Sequence, residues 1–252
     1  MPTIQLNKKV VESLIGKKLS KQELKDKISY LGLELESIKG NNLVVEVYPN
    51  RPDLLSEQGF SRALSSFIGS KQGLRHYETK DSGCQLVADN TLKTIRPYAV
   101  CAIVKDIKLD NNKIKEIINI QEKLHSNFCR NRKKAAIGIY PLDKIKMPIL
   151  FTAMQAKKIK FKPLGMNKVM TAKDILDKHP AGKEYGHLLS GLKEYPVFID
   201  ANNNILSMPP VINSEIAGKV TKRSRNLFIE CSGHDINILH KCLNIIVTVL
   251  AD

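Results

Sequence analysis

Residues 195–235, YPVFIDANNNILSMPPVINSEIAGKVTKRSRNLFIECSGHD, decide the fold. Two short apolar runs, 197–199 and 227–231, have the length and composition of buried strands, and a Ser-Met-Pro-Pro word followed by a basic loop separates them. Along the second run side chains alternate, so Phe228, Glu230 and Ser232 share one face while Ile229 and Cys231 share the other. A carboxylate in the middle of such a strand is unfavourable unless it is solvated or partnered. Either that face is wet, or Glu230 meets a polar ligand, or it pairs with a basic loop residue such as Arg223 or Arg225; between ligand and ion pair the residues alone favour the ion pair. Gly233 and Asp235 then turn the chain into a last helix, on which Ile236, Leu239, Leu243, Ile246, Val247 and Leu250 recur at helical spacing. A strand that ends in a polar turn at a helix N-terminus is a common ligand crevice in α/β folds.

Upstream, residues 1–80 read as a small α+β module. A short helix carries Val10, Val11, Leu14 and Ile15, Ser20 with Glu23 opens a second one, residues 43–48 form a strand, and a helix from Glu57 presents Phe60, Ala63, Leu64, Phe67 and Ile68. In the turn Asn50-Arg51-Pro52-Asp53, Asp53 is expected to cap that helix and Arg51 to hold an interdomain contact. Residues 70–91 lose periodicity and read as a linker. The second unit has a strand at 98–104, a helix capped by Asp110 with Ile114, Ile117, Ile118 and Leu124 on one stripe, and a buried strand at 135–139. Lys157, Lys158, Lys160 and Lys162 alternate with apolar residues, which predicts a strand with a basic face. The fold class is α+β: a small N-terminal α+β domain, 1–80, followed by a larger α/β domain, 81–252, with a mixed sheet flanked by helices.

Forty Lys and Arg against 25 Asp and Glu give the 252 residues a net charge of +15. Dispersed over a folded sequence, this charge points to a nucleic-acid partner and not to a membrane; a lysine-biased genome is the alternative. Arg130, Arg132, Lys133 and Lys134 cluster at a strand entrance, and Lys219, Lys222, Arg223 and Arg225 lie in the basic loop, so both groups are candidate nucleic-acid phosphate contacts, with a solvated loop as the alternative for the first. Cys84, Cys101, Cys129, Cys231 and Cys242 contain no CxxC pair and read as reduced, mostly buried thiols. The histidines lack zinc spacing and no Gly-rich phosphate loop is present, so neither a metal nor a nucleotide cofactor is expected. No apolar run reaches the length of a membrane span and no secretory signal opens the chain, which predicts a cytoplasmic protein.

Longer words carry a resemblance. Residues 45–56 (VEVYPNRPDLLS), 121–125 (QEKLH), 130–138 (RNRKKAAIG), 196–210 and Ile212-Asn213-Ser214, in that order, closely resemble the β subunit of archaeal and eukaryotic phenylalanine-tRNA synthetase over essentially the whole chain. The resemblance implies an N-terminal α+β domain and an α/β domain that edits misacylated tRNA, as a fragment of a longer subunit or as a free-standing editing protein. It places editing residues on Ser207, Glu230 and Ser232, and the substrate pocket near Phe198, Pro209, Asn213 and Gly233. Implied partners are tRNA(Phe), the catalytic α subunit of an α2β2 assembly, and tyrosine as editing ligand. No cofactor is implied for this segment, ATP and Mg2+ belonging to the complete synthetase. Ser232 stands where the family usually has Thr, Cys129 where it has Gly, and Tyr140-Pro141 where it has His-Asp; a Thr usual near His234 is missing.

The implied activity, hydrolysis of mischarged Tyr-tRNA(Phe), has a physical motive. An apolar pocket built for phenylalanine rejects an added hydroxyl only about a hundredfold. A second site can use that hydroxyl: tyrosine satisfies a buried Glu230, whereas phenylalanine leaves it unpaired, a difference of roughly 1–3 kcal/mol. Ser207 and Ser232 would hold the other end of the amino acid or position water. With no Ser-His-Asp set and no activated thiol, backbone groups and the terminal ribose hydroxyl are expected to position the water, without a covalent intermediate. The rival is a non-catalytic tRNA-docking or subunit-assembly module with a degenerate pocket.

Overall fold

The computed structural model describes residues 2–252; Met1 lies outside them. The first unit comprises β1 (Thr3–Asn7), α1 (Lys8–Ile15), α2 (Lys21–Tyr30), β2 (Glu34–Lys39), β3 (Asn42–Glu46) and α3 (Glu57–Phe67), with β3 between β1 and β2 in an antiparallel sheet. The capping box forms as its spacing predicts: Ser20 Oγ accepts from the Glu23 N–H, and the Glu23 carboxylate accepts from the Ser20 N–H. The turn before α3 differs from expectation. Ser56, not Asp53, caps that helix by accepting from the Gly59 N–H. Arg51 grips the Asp53 carboxylate with two bonds of 3.0 and 2.8 Å, a local brace and not an interdomain contact.

Residues 69–85 form neither helix nor strand, but the expected linker ends before residue 91, because β4 (Leu86–Ala88) already belongs to a sheet. There follow β5 (Tyr98–Val104), α4 (Asn111–Lys123), β6 (Ala135–Pro141), β7 (Ile149–Gln155), β8 (Lys160–Phe161), β9 (Met170–Thr171), α5 (Ala172–Lys178) and α6 (Pro180–Tyr185). The chain ends with β10 (Glu194–Ile199), β11 (Ile205–Met208), β12 (Ile212–Asn213), α7 (Glu215–Gly218), β13 (Leu227–Gly233) and α8 (Ile236–Ala251). A mixed five-stranded sheet has the order β12-β11-β10-β7-β4, with β4 parallel to β7. A three-stranded antiparallel sheet has the order β5-β13-β6.

The alternation read along residues 227–232 sets the layers. Ile229 and Cys231 pack with Ile137, Ile139, Leu239 and Cys242, and this cluster continues through Ile117 and Ile120 into the first unit at Ile4, Leu6 and Phe60. Phe228, on the opposite face, joins Tyr140, Phe151, Phe198 and Leu206 between the two sheets. Val197, Met208, Ile159 and Ile175 seal the outer face of the larger sheet. The lysine-rich stretch is not a basic-faced strand: a 3-10 turn, Ala156–Lys158, leads into β8, which pairs with β9. Its alternation records the burial of Ile159 and Phe161 as loop anchors. On α4, Ile118 leaves the apolar stripe and is 51% exposed, for it borders a cavity. No described helix is long and apolar enough to cross a membrane.

Candidate functional site

The site is built on the free edge of β6. Gln121 Nε2 donates to the Ile137 carbonyl at 2.7 Å and the Ile137 N–H donates to His125 Nε2 at 2.9 Å, so α4 and the π-helical turn Leu124–Phe128 close that edge at Ile137. Antiparallel pairing alternates, so Gly138 turns its backbone groups toward β13, and Ile139 turns its N–H and C=O back to the open side. A cavity of about 430 Å³ lies there, with Ile139, Ser207, Pro209, Asn213 and Glu230 in its wall. This volume is typical of small-molecule sites, which span roughly 300–1,000 Å³.

Glu230 is 2% exposed and lies opposite Gly138 in the β13–β6 register. Position 138 is closely approached: a Cβ there would stand 2.2 Å from Glu230 Oε1 and 2.5 Å from the Tyr140 hydroxyl, so both side-chain ends would have to shift. The Tyr140 hydroxyl lies 3.2 Å from Glu230 Oε1 and 2.9 Å from Ser207 Oγ; its one proton serves one of them, and the serine hydroxyl can donate back. Glu230 Oε2 has no hydrogen-bond partner among the described residues. Burial pushes the Glu230 carboxyl up to about 8, against the opposing charge of Arg96 and the Tyr140 hydrogen bond. The ion pair favoured by the sequence does not form: Arg223 and Arg225 are exposed in the loop before β13. The guanidinium inside is Arg96, 3% exposed, whose Nε donates to Ser232 Oγ at 3.0 Å and whose Nη2 donates to the Ser232 carbonyl.

Four of the predicted site residues therefore meet at the cavity: Ser207, Pro209, Asn213 and Glu230. Three, Ser232, Phe198 and Gly233, lie outside that wall. The Ser232 hydroxyl is taken by Arg96; Phe198 stacks on Phe151 with ring centroids 4.1 Å apart; Gly233 lies where a Cβ would stand 2.2 Å from the Lys134 carbonyl. Arg132, expected to meet phosphate, instead turns inward. It donates to the Pro210 and Val211 carbonyls at 3.2 and 3.0 Å and to Glu122 at 3.0 Å, and lies 4.0 Å over the Tyr185 ring, fixing the cavity rim. Arg130, Lys133, Lys222, Arg223 and Arg225 are exposed and Lys134 is half-buried.

Tyr140, Gly138, Arg96, Gln121 and His125 were not singled out by sequence as site residues. A glycine inside a buried strand and a buried tyrosine, whose hydroxyl must find a partner, were signals for the first two. Arg96 had none. His125 is not a free base: burial lowers its pKa, and the Ile137 N–H occupies its Nε2 lone pair.

A family model, described as the Phe-tRNA synthetase beta subunit B1 domain, matches residues 1–70. The phenylalanine–tRNA ligase beta subunit of Thermococcus gammatolerans is 41% identical over 259 positions, covering 100% of this chain and 45% of that protein. That of Methanococcus aeolicus is 43% identical over 256 positions, covering 100% of this chain and 46% of the relative. The chain thus spans about half the length of the curated relatives it matches. The crystal structure of an N-terminal fragment of the phenylalanyl-tRNA synthetase beta subunit from Pyrococcus horikoshii superposes with a TM-score of 0.93 at 40% identity, over 99% of this chain and 73% of that one. With its sequence and its backbone both matching over that extent, the chain belongs to the phenylalanyl-tRNA synthetase β-subunit family and corresponds to the N-terminal part of the subunit.

Proposed function

We propose that this chain is the proofreading part of a phenylalanine-tRNA ligase, hydrolysing the ester of Tyr-tRNA(Phe) after recognising tyrosine by its hydroxyl. The observation that carries this reading is the unpartnered Glu230 Oε2, buried at the wall of a cavity of ligand size. A phenol satisfies that oxygen in either protonation state, donating to the carboxylate or accepting from the acid, whereas the ring of phenylalanine leaves it unsatisfied. The outward N–H and C=O of Ile139 and the side chain of Asn213 are the polar groups available for the ester end of the amino acid. Water adds to the ester carbonyl, and the ribose oxygen leaves with a proton; these groups orient the reactants, and no side chain forms a covalent intermediate. In the assembled enzyme the partners are tRNA(Phe) and a catalytic α subunit.

The test is deacylation of Tyr-tRNA(Phe) and Phe-tRNA(Phe) by Glu230→Ala and Ser207→Ala. Glu230→Ala is expected to narrow the discrimination between the two esters by about tenfold or more, and Ser207→Ala to slow turnover. Unchanged rates with tRNA binding intact would transfer the assignment to the rival, a non-catalytic docking or assembly module. One observation favours that rival: Tyr140 already supplies a phenol to both Glu230 and Ser207. Tyr140→Phe decides its effect, since a plugged pocket gains activity when that hydroxyl is removed.

A further inference from the structure

A second cleft, of about 720 Å³, lies between the corner after β3 and the loop after α4, with Tyr48, Pro49, Phe128, Arg130, Asn131 and Lys134 in its wall. Tyr48 is 42% exposed and Arg130 is exposed, while Lys134 is half-buried. None of its described lining residues is acidic. Aromatic and proline faces set beside cations, with no carboxylate to repel a phosphate, form the combination that holds single-stranded nucleic acid: bases stack and the backbone meets positive charge.

The loop itself is unusual. Arg130, Asn131 and Arg132 have φ values of 50, 51 and 62°, three successive non-glycine residues in the left-handed region. Such strain persists only where the surroundings hold it, and it collects at functional sites. Here the Arg132 N–H donates to the His125 carbonyl at 3.1 Å and the Lys134 N–H to the Cys129 carbonyl at 2.9 Å. The reversed turn sends neighbouring side chains to opposite duties, Arg132 to the rim of the Glu230 cavity and Arg130 to the second cleft. Two residues along a chain span at most about 7 Å, so one turn borders both spaces.

We infer that this cleft receives the unpaired 3′-terminal nucleotides of an acylated tRNA, the bases against Tyr48 and Pro49 and the phosphates against Arg130 and Lys134. The inference rests on the reading that the substrate is an aminoacyl-tRNA, and it adds a binding surface that joins residues of the first unit to those of the second. Its test uses the intact chain and unacylated RNA, so that hydrolysis plays no part. The probe is a fluorescein-labelled single strand of about eight nucleotides ending in CCA, within the site sizes of such clefts, followed by anisotropy. Tyr48→Ala and Arg130→Ala are each expected to weaken binding about tenfold, and Arg130→Ala to reduce the salt slope by about 0.7. Tyr48→Phe retains the stacking face and should restore affinity. Both target side chains are exposed, so circular dichroism should remain that of the parent. Unchanged affinity in both alanine variants overturns the inference, even if Tyr-tRNA(Phe) is cleaved normally. Weakened RNA binding in a chain that cleaves no tyrosyl ester leaves the inference standing and removes the proofreading reading.

Discussion

Glu230 and Ser232 stand two residues apart on one face of β13, both shut away from bulk solvent, and the structure treats them oppositely. Arg96 satisfies the hydroxyl and the carbonyl of Ser232 together, so that end of the strand is closed. Glu230 keeps one oxygen bonded to Tyr140 and the other without a partner beside the cavity. Burial alone therefore does not separate these two residues, whereas their hydrogen bonds do: one group is satisfied within the chain, and the other has an oxygen without a partner beside a cavity.

The largest expected effect breaks or confirms the Glu230 end. Its carboxyl titrates near 8 in the folded chain, above its ordinary value of 4.5, so in that window the folded state holds a proton that the unfolded state has released. Stability must then fall as pH rises through the window, by up to roughly 4–5 kcal/mol in all, and Glu230→Gln should remove the slope. Urea unfolding of both proteins from about pH 5 to about pH 9 measures it; parallel profiles would mean that Glu230 is not held as described. At the other end, Arg96→Ala should cost about 2–4 kcal/mol by leaving Ser232 groups buried without donors. Arg96→Lys should not rescue it, because a point ammonium lacks the fork that reaches both oxygens. Thermal melts would show both.

Smaller changes sharpen the contrast. Gly138→Ala should cost about 1–3 kcal/mol in overpacking and displace Tyr140 and Glu230 together, read as a lowered melting temperature with loss of tyrosine binding by calorimetry. Ser232→Ala should cost only about 1 kcal/mol and leave the ratio of Tyr to Phe deacylation unaltered. A change in that ratio would return Ser232 to the site.

How far the sequence carries can be followed residue by residue. The period of two along 227–232 correctly set Phe228 and Glu230 against Ile229 and Cys231, and Ser20 with Glu23 correctly marked a helix start. Of the seven residues assigned to the pocket from the sequence, Ser207, Pro209, Asn213 and Glu230 line the cavity and Ser232, Phe198 and Gly233 do not, while Arg132 donates to the Val211 carbonyl at its rim. Tyr140 stood in plain view as a departure from the family pattern, yet its contact with Glu230 joins positions 90 apart, and that of Arg96 with Ser232 joins positions 136 apart.

By itself, then, the order of residues determined the long buried strands, the cap at Ser20, the two faces of β13 and the family. Those follow from local backbone geometry and from words long enough to compare. The tertiary structure alone decided that two sheets would enclose Tyr140 with Phe228, that Arg96 would close Ser232, and that Tyr48 and Arg130 would line one cleft. Such meetings depend on which strands pair and which edge stays open, and no short-range period records that choice.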